Sequence, residues 1–348
     1  MSYARKHLAA IEGYRPGEQP AEGGFIKLNT NENPYPPSPR VFEAIKGVAG
    51  ENMRKYPDAV FRRLRSRISE TYGVGKERIF VGNGSDEVLS LLVRTFVDPD
   101  EKVVYTYPSY VLYETLAQLN AVGYKAVELD ENFDLPEEVF RAKGKLFFLA
   151  NPNSPTGKCV PVDMIGKLCR SFPGLVIADE AYVDFSQSSC LPLLKECANL
   201  VILRTFSKSF SLASIRVGFA LASERNVADL MKMKDSYNVN HLSQLAAEAA
   251  LEDIEHMRAN VRKIVRTRSR LSRELEALGF VVYPSESNFV LARYPDGTAC
   301  PLYEELKRRK ILVRYFPLRR LEDCLRITVG TDEEINALLK ELGSILKK

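Results

Sequence analysis

Lys208 closes a run from Asn199 in which an apolar stretch, Leu-Val-Ile-Leu, gives way to Arg204, Thr205, Phe206 and Ser207. A second stretch of the same form, Leu175 to Ala178, ends on Asp179, Glu180 and, one residue further, Tyr182. An amine can condense with an aldehyde. A carboxylate can keep a heteroaromatic nitrogen protonated, and a phenol can donate to a ring oxygen. Together, at the ends of parallel strands, these groups are the equipment for holding and using a pyridoxal phosphate ring. Singly they say less: a strand-end lysine is ordinarily a surface charge, and a strand-end aspartate is commonly a cap or turn residue.

Such a cofactor also needs a phosphate cradle. Gly82-Asn-Gly84-Ser85-Asp86-Glu87 is a glycine-bearing turn between a strand and a helix, where backbone N–H groups and the helix dipole favour an anion. Ser207 and Arg216 are placed to add a hydroxyl and a fixed positive charge. Tyr110 is a candidate to lie flat on the ring, although most buried aromatics are simply core. Seven turn-forming residues, Asn151 to Gly157, follow the strand Phe147–Ala150 and suggest a loop shaped around a ligand.

These groups must be positioned by a frame. The 348 residues are long enough for about two domains with a substantial core. From Arg78 onward, short β-rich runs alternate with amphipathic segments: strands at 79–81, 102–105, 145–150, 175–178, 200–204 and 217–222, helices at 85–96 and 109–120. Continuous apolar strands alternating with helices imply an α/β fold with a mostly parallel sheet covered on both faces. Ligands in such sheets bind beyond the carboxyl ends of the strands, where Asp179 and Lys208 fall. A long helix over 242–278, ending at Gly279, connects to a smaller α+β unit with strands at 280–283, 288–292, 311–314 and 325–329. The organisation expected is an extended arm over residues 1–30, a large cofactor-binding domain over 31–240 and a small domain over 241–348.

Bulk properties bound the function. Hydrophobic content of 45% and charged content of 27% are those of a soluble globular chain. A balance of 49 basic against 45 acidic residues is too even to argue for nucleic acid, and the basic stretch 258–273 has the apolar spacing of a helix with a solvated face. Six cysteines show no CxxC pair and no metal-ligand spacing with the three histidines, which points to reduced thiols and no metal. No apolar run reaches a membrane span and the N-terminus has no signal-like core, so a cytoplasmic protein is expected.

In order and joint placement these motifs resemble the fold-type I pyridoxal phosphate aminotransferases over nearly the whole chain, and within them the histidinol-phosphate aminotransferases. The resemblance is carried by Leu28–Tyr35, Gly84–Glu87, Asn151–Gly157, Ala178–Tyr182, Arg204–Lys208 and Cys324–Gly330. It implies Lys208 as Schiff-base lysine, Asp179 on the ring nitrogen and Tyr182 on the ring oxygen. It also implies Gly84, Ser85, Asp86, Ser207 and Arg216 around the phosphate, with Tyr110 stacked on the ring. Tyr56 matches a tyrosine that touches the phosphate of the neighbouring subunit's cofactor, which implies a homodimer. The family often carries Asn before Pro-Thr-Gly; this chain carries Ser154 there, so Asn153, Ser154 and Tyr182 are all candidates for the ring oxygen.

The activity implied is exchange of an amino group between histidinol phosphate and 2-oxoglutarate, giving imidazole acetol phosphate and glutamate, in histidine biosynthesis. Lys208, once displaced by the substrate amine, serves as general base. Both substrates are anions, and an arginine fork accepts carboxylate or phosphate. Arg314 and Arg326, on strands of the small domain, are the residues chosen for that task. Asn31 and the arm residue Tyr14 are placed with the substrate by the same resemblance. Threonine-phosphate decarboxylase and aromatic amino acid aminotransferase keep the fold and change the reaction. A non-catalytic regulator on this fold should lack the lysine that is present at 208.

Overall fold

The computed structural model describes residues 3–13, 17–48 and 51–347, so Tyr14 lies outside the described residues. In chain order the strands are β1 (Ile26–Lys27), β2 (Ile79–Gly82), β3 (Lys102–Tyr107), β4 (Gly123–Glu128), β5 (Leu146–Ala150), β6 (Leu175–Asp179), β7 (Leu200–Thr205), β8 (Gly218–Leu221), β9 (Val281–Val282), β10 (Phe289–Arg293), β11 (Ile311–Leu312), β12 (Arg314–Tyr315) and β13 (Cys324–Thr328). Seven of them form one sheet in the order β2-β8-β7-β6-β5-β3-β4. β8 runs antiparallel to both its neighbours and the remaining pairs are parallel. The central strands β5 and β7 are buried along their whole length, as continuous apolar sequence between two helical layers requires. Two cores result. One contains Phe147, Ile202 and Phe219 on one face of the sheet; the other contains Phe80, Phe148 and Ile177 on the opposite face.

The edge strand β4, Gly-Tyr-Lys-Ala-Val-Glu, is exposed over its first half and has one fully buried residue, so it lacks an alternating pattern that periodicity could reveal. The long helix expected over 242–278 is two helices, His241–Glu252 and Ile254–Ala277. Asp253 interrupts it at φ −127° and ψ 51°, with its carboxylate accepting from Ser38 Oγ at 2.5 Å. That bond joins two side chains more than two hundred residues apart, a partner the local sequence does not show. Gly279, at φ +93°, follows the second helix as expected of a C-terminal glycine.

The last third of the chain supplies a four-stranded antiparallel sheet, β12-β13-β10-β9. The strand expected over 311–314 is divided between two sheets: β11 pairs in parallel with β1, and β12 pairs with β13. The arm is therefore stitched to this part of the molecule by backbone hydrogen bonds, Ile26 N to Lys310 O at 2.9 Å and Leu28 N to Leu312 O at 2.7 Å. The final helix, Asp332–Leu346, opens with a capping box between Thr331 and Glu334.

Candidate active site

The carboxyl ends of β5, β6 and β7 face a cleft of about 270 Å³ whose other walls come from the arm and the small sheet. Asp179 is the last residue of β6. Successive strand residues point to opposite faces, so Asp179 lines the cleft while Glu180 turns away into a buried pair with Arg204 of β7, 2.7 Å distant. Glu180 also accepts from Cys190 N at 2.5 Å and Ser189 Oγ at 3.0 Å. This satisfied pair locks the ends of β6 and β7 together.

Burial pushes the Asp179 carboxyl up to about 6; hydrogen bonds from the Tyr113 hydroxyl and Ala181 N–H act in the opposite sense. Lys208 lies in the turn after β7, with Nζ donating to Thr30 O at 3.4 Å and standing 5.6 Å from the centre of the Tyr182 ring. The Tyr182 hydroxyl accepts from Asn31 Nδ2 at 2.9 Å. Asn31 is held in the left-handed region, φ 56°, by Thr328 and Asn288, so the residue that follows the arm is fixed from the small domain. Glu32 lines the cleft beside Lys208. Burial raises its carboxyl, but hydrogen bonds from Lys27 and Thr30 and the nearby lysine charges outweigh this and leave it below its ordinary value.

At one end of the cleft, the helix Ser85–Phe96 starts on Gly84 with no side-chain cap, leaving its first N–H groups without a capping side chain. Arg216 stands beside it, with Nη1 3.3 Å from Ser207 Oγ and Nη2 3.3 Å from Asp86 Oδ2. The cradle admits only glycine at two places. A Cβ on Gly84, whose φ is +85°, would lie 2.6 Å from Arg216 Nη2, and one on Gly218 would lie 2.4 Å from Ser85 N. Uncapped N–H groups, a guanidinium and two hydroxyl-bearing side chains in a space cleared of side chains fit a phosphate group.

At the other end, Arg314 and Arg326 are directly opposed across the β12–β13 pair. Like charges so placed are destabilising unless an anion lies with them. Arg326 sits between the rings of Phe289 and Phe316, 5.3 Å from each, and donates to Ser154 Oγ at 3.1 Å and Asn29 O at 2.8 Å. Arg314 rests on the same Phe316 ring at 5.3 Å.

The sequence candidates Ser85, Asp86, Tyr110, Ser154, Asp179, Tyr182, Ser207, Lys208, Arg216, Asn31, Arg314 and Arg326 thus line one cleft, with Gly84 immediately behind it. Asn153 does not line it. Its amide donates to Pro108 O and Thr156 Oγ1, both at 3.0 Å, and accepts from Ser109 at 2.8 Å, so it is spent holding the loop. Tyr56 is also outside the cleft, 79% exposed and stacked on Tyr237 at 4.3 Å. Sequence reasoning passed over Tyr113 and Phe316: the acid that Tyr113 meets lies 66 residues away, and Arg314, two residues before Phe316, was the only local signal for the latter.

The family model described as aminotransferase class I and II matches residues 24–342. The chain belongs to the aminotransferase class I and II family. It is 45% identical over 346 residues to the histidinol-phosphate aminotransferase of Syntrophotalea carbinolica, covering 99% of this chain and 100% of that one. It is 43% identical to histidinol-phosphate aminotransferase 1 of Trichormus variabilis, covering 99% of each chain. Among solved structures, histidinol-phosphate aminotransferase from Sinorhizobium meliloti, in complex with pyridoxal-5'-phosphate, superposes with a TM-score of 0.90 at 24% identity. That match covers 100% of this aminotransferase and 98% of the other chain. The expected fold, a mostly parallel sheet between helices with a smaller antiparallel sheet beside it, is the fold of this family.

Proposed function

We propose that this chain is a pyridoxal phosphate-dependent transaminase that interconverts histidinol phosphate plus 2-oxoglutarate with imidazole acetol phosphate plus glutamate, a step of histidine biosynthesis. The observation that carries the reading is the pairing of two cationic ends in one cleft, in a chain whose full-length relatives at 43–45% identity bear that name. The cradle of Ser85, Asp86, Ser207 and Arg216, backed by Gly84, is assigned to the cofactor phosphate. Asp179 is assigned to the ring nitrogen, Tyr110 to the ring face, and Ser154 with Tyr182 to the ring oxygen. Lys208 is assigned to the covalent tie. When bound, pyridoxal phosphate supplies an electron-withdrawing ring that makes the α-proton of an attached amine removable.

The chain's own part is to bind, orient and move protons. Arg326 and Arg314 grip the far anion of the substrate, carboxylate or phosphate in turn, which lets one cleft serve both halves of the cycle. Lys208 Nζ, freed from its tie, takes the proton from the substrate's α-carbon and returns it on the other side of the exchange. Asn31, the first residue after the arm, holds the Tyr182 hydroxyl, and the domains divide as an arm to residue 30, a large domain to residue 240 and a small domain beyond.

An active homodimer belongs to the same reading. Tyr56, Met53, Phe42 and Tyr237 are large, exposed side chains on surface that such an assembly would cover, and Tyr56 is assigned to the phosphate of the other subunit's cofactor. The six free thiols suit a reducing compartment, and we place the enzyme in the cytoplasm; no helix among the described residues is long and apolar enough to cross a membrane.

The purified protein, supplied with pyridoxal phosphate and 2-oxoglutarate, should turn over histidinol phosphate faster than phenylalanine and should release no carbon dioxide from phosphothreonine. Faster turnover of phenylalanine, or decarboxylation of phosphothreonine without 2-oxoglutarate, overturns the substrate assignment.

A further inference from the structure

Tyr113 lies in the first turn of the helix Leu112–Leu119 and forms part of the cleft wall. Its ring is fully buried, stacked on Phe148 of β5 with centroids 4.8 Å apart, and meets Tyr110 edge-on at 5.6 Å. Its hydroxyl donates to Asp179 Oδ2 at 2.7 Å, while Ala181 N–H donates to Oδ1 at 3.1 Å. Each carboxylate oxygen thus has one protein donor and one further lone-pair direction. The surroundings otherwise oppose a charge at this position: Asp179 is buried, and Asp86 and Glu180 are negative neighbours, the latter countered by Arg204. Lys208, Arg216 and Tyr182 share the cleft. The Tyr113 ring cannot rotate its hydroxyl away from the acid without breaking the stack on Phe148.

We propose that Tyr113 is a positioning residue for the reaction, holding the Asp179 carboxylate charged and oriented toward the cleft through a single hydrogen bond. The inference rests on Asp179 serving the cofactor's ring nitrogen. A charge-assisted bond to a buried acid is among the stronger hydrogen bonds a protein makes. Its loss weakens Asp179 as partner of the ring while leaving Arg314 and Arg326 untouched.

Tyr113→Phe keeps the ring and its stack. In the holoenzyme it should lower kcat roughly tenfold or more and weaken cofactor affinity by a similar factor, with KM for both substrates within about twofold. The pH midpoint of the cofactor's visible absorbance band should move in the same sense as in Asp179→Asn, and by less. A 3-fluorotyrosine placed at position 113 retains the shape with a more acidic hydroxyl and should move the midpoint the other way. That variant keeps the test open if Tyr113→Phe fails to fold. A wild-type midpoint, cofactor affinity and kcat in Tyr113→Phe, or a wild-type midpoint in the fluorinated protein, overturns the proposal. A wild-type protein without any cofactor band overturns instead the reading beneath it.

Discussion

At the scale of single residues, the site is a set of charges held where charge is costly. Asp179 shows the cost in the cofactor-free chain. Its carboxyl is raised from 3.8 to about 6 by burial. Between those values the folded chain keeps a proton that the unfolded chain has released, so stability falls as pH rises through the window and stays lower above it. Asp179→Asn cannot ionise. Its cofactor-free form should be more stable than wild type at pH 7–8 by roughly 1–3 kcal/mol, the difference vanishing below about pH 4. Urea unfolding at several pH values measures this; a difference independent of pH would contradict it. Arg326 is opposite Arg314 across the β12–β13 pair, and two guanidiniums so placed favour an anion beside them. Arg326→Leu should raise KM in both half-reactions by roughly 30-fold or more. An effect on one half-reaction alone would mean separate anion sites. Lys208 and Asp179 were legible because a polar side chain ending an apolar strand stands out. Tyr113 was not, because a buried hydroxyl and a buried ring look alike in sequence.

At the scale of elements, the phosphate cradle depends on how closely β8 approaches the start of the helix Ser85–Phe96. Gly218, the first residue of β8, is opposite Gly82 in the ladder. A methyl group there would strike Ser85 N at 2.4 Å and push the strand away from the helix terminus. Gly218→Ala should therefore weaken cofactor binding by roughly tenfold or more while costing only about 1–3 kcal/mol in folding. Equilibrium dialysis of pyridoxal phosphate against the variant, paired with its unfolding curve, separates the two effects. Undiminished affinity would show that the cradle tolerates a side chain. The central strands were readable from their apolar runs. The break at Asp253 and the division of 311–315 between two sheets were not, because each is imposed by a partner distant in sequence, Ser38 in one case and β1 with β13 in the other. Asn153 belongs here too: its residue type suited a ligand, but its hydrogen bonds are consumed by the loop that carries it.

At the scale of the whole molecule, Tyr56 and Tyr237 form an exposed aromatic pair with no role in their own cleft. Analytical ultracentrifugation should find a dimer at micromolar concentration. Tyr56→Phe should preserve that dimer and raise the cofactor's dissociation constant several-fold, about 1 kcal/mol for one hydroxyl. A monomer retaining full activity would remove Tyr56 from the site. The three-part cleft itself was only partly foreseeable, since strand ends can be read locally whereas the wall built by Asn29, Asn31 and Phe316 depends on packing across hundreds of residues. The arm is seated on β11 through Leu312, and the residue after it, Asn31, is held by Asn288 and Thr328 of the small domain, while Thr30 O and the Asn31 amide reach Lys208 and Tyr182. Arg326 donates to Asn29 O, and two residues on the Asn31 amide donates to the Tyr182 hydroxyl. The arginine end of the cleft and the lysine end are thus joined by one short stretch of backbone, Asn29 to Asn31, that belongs to no strand of the large sheet.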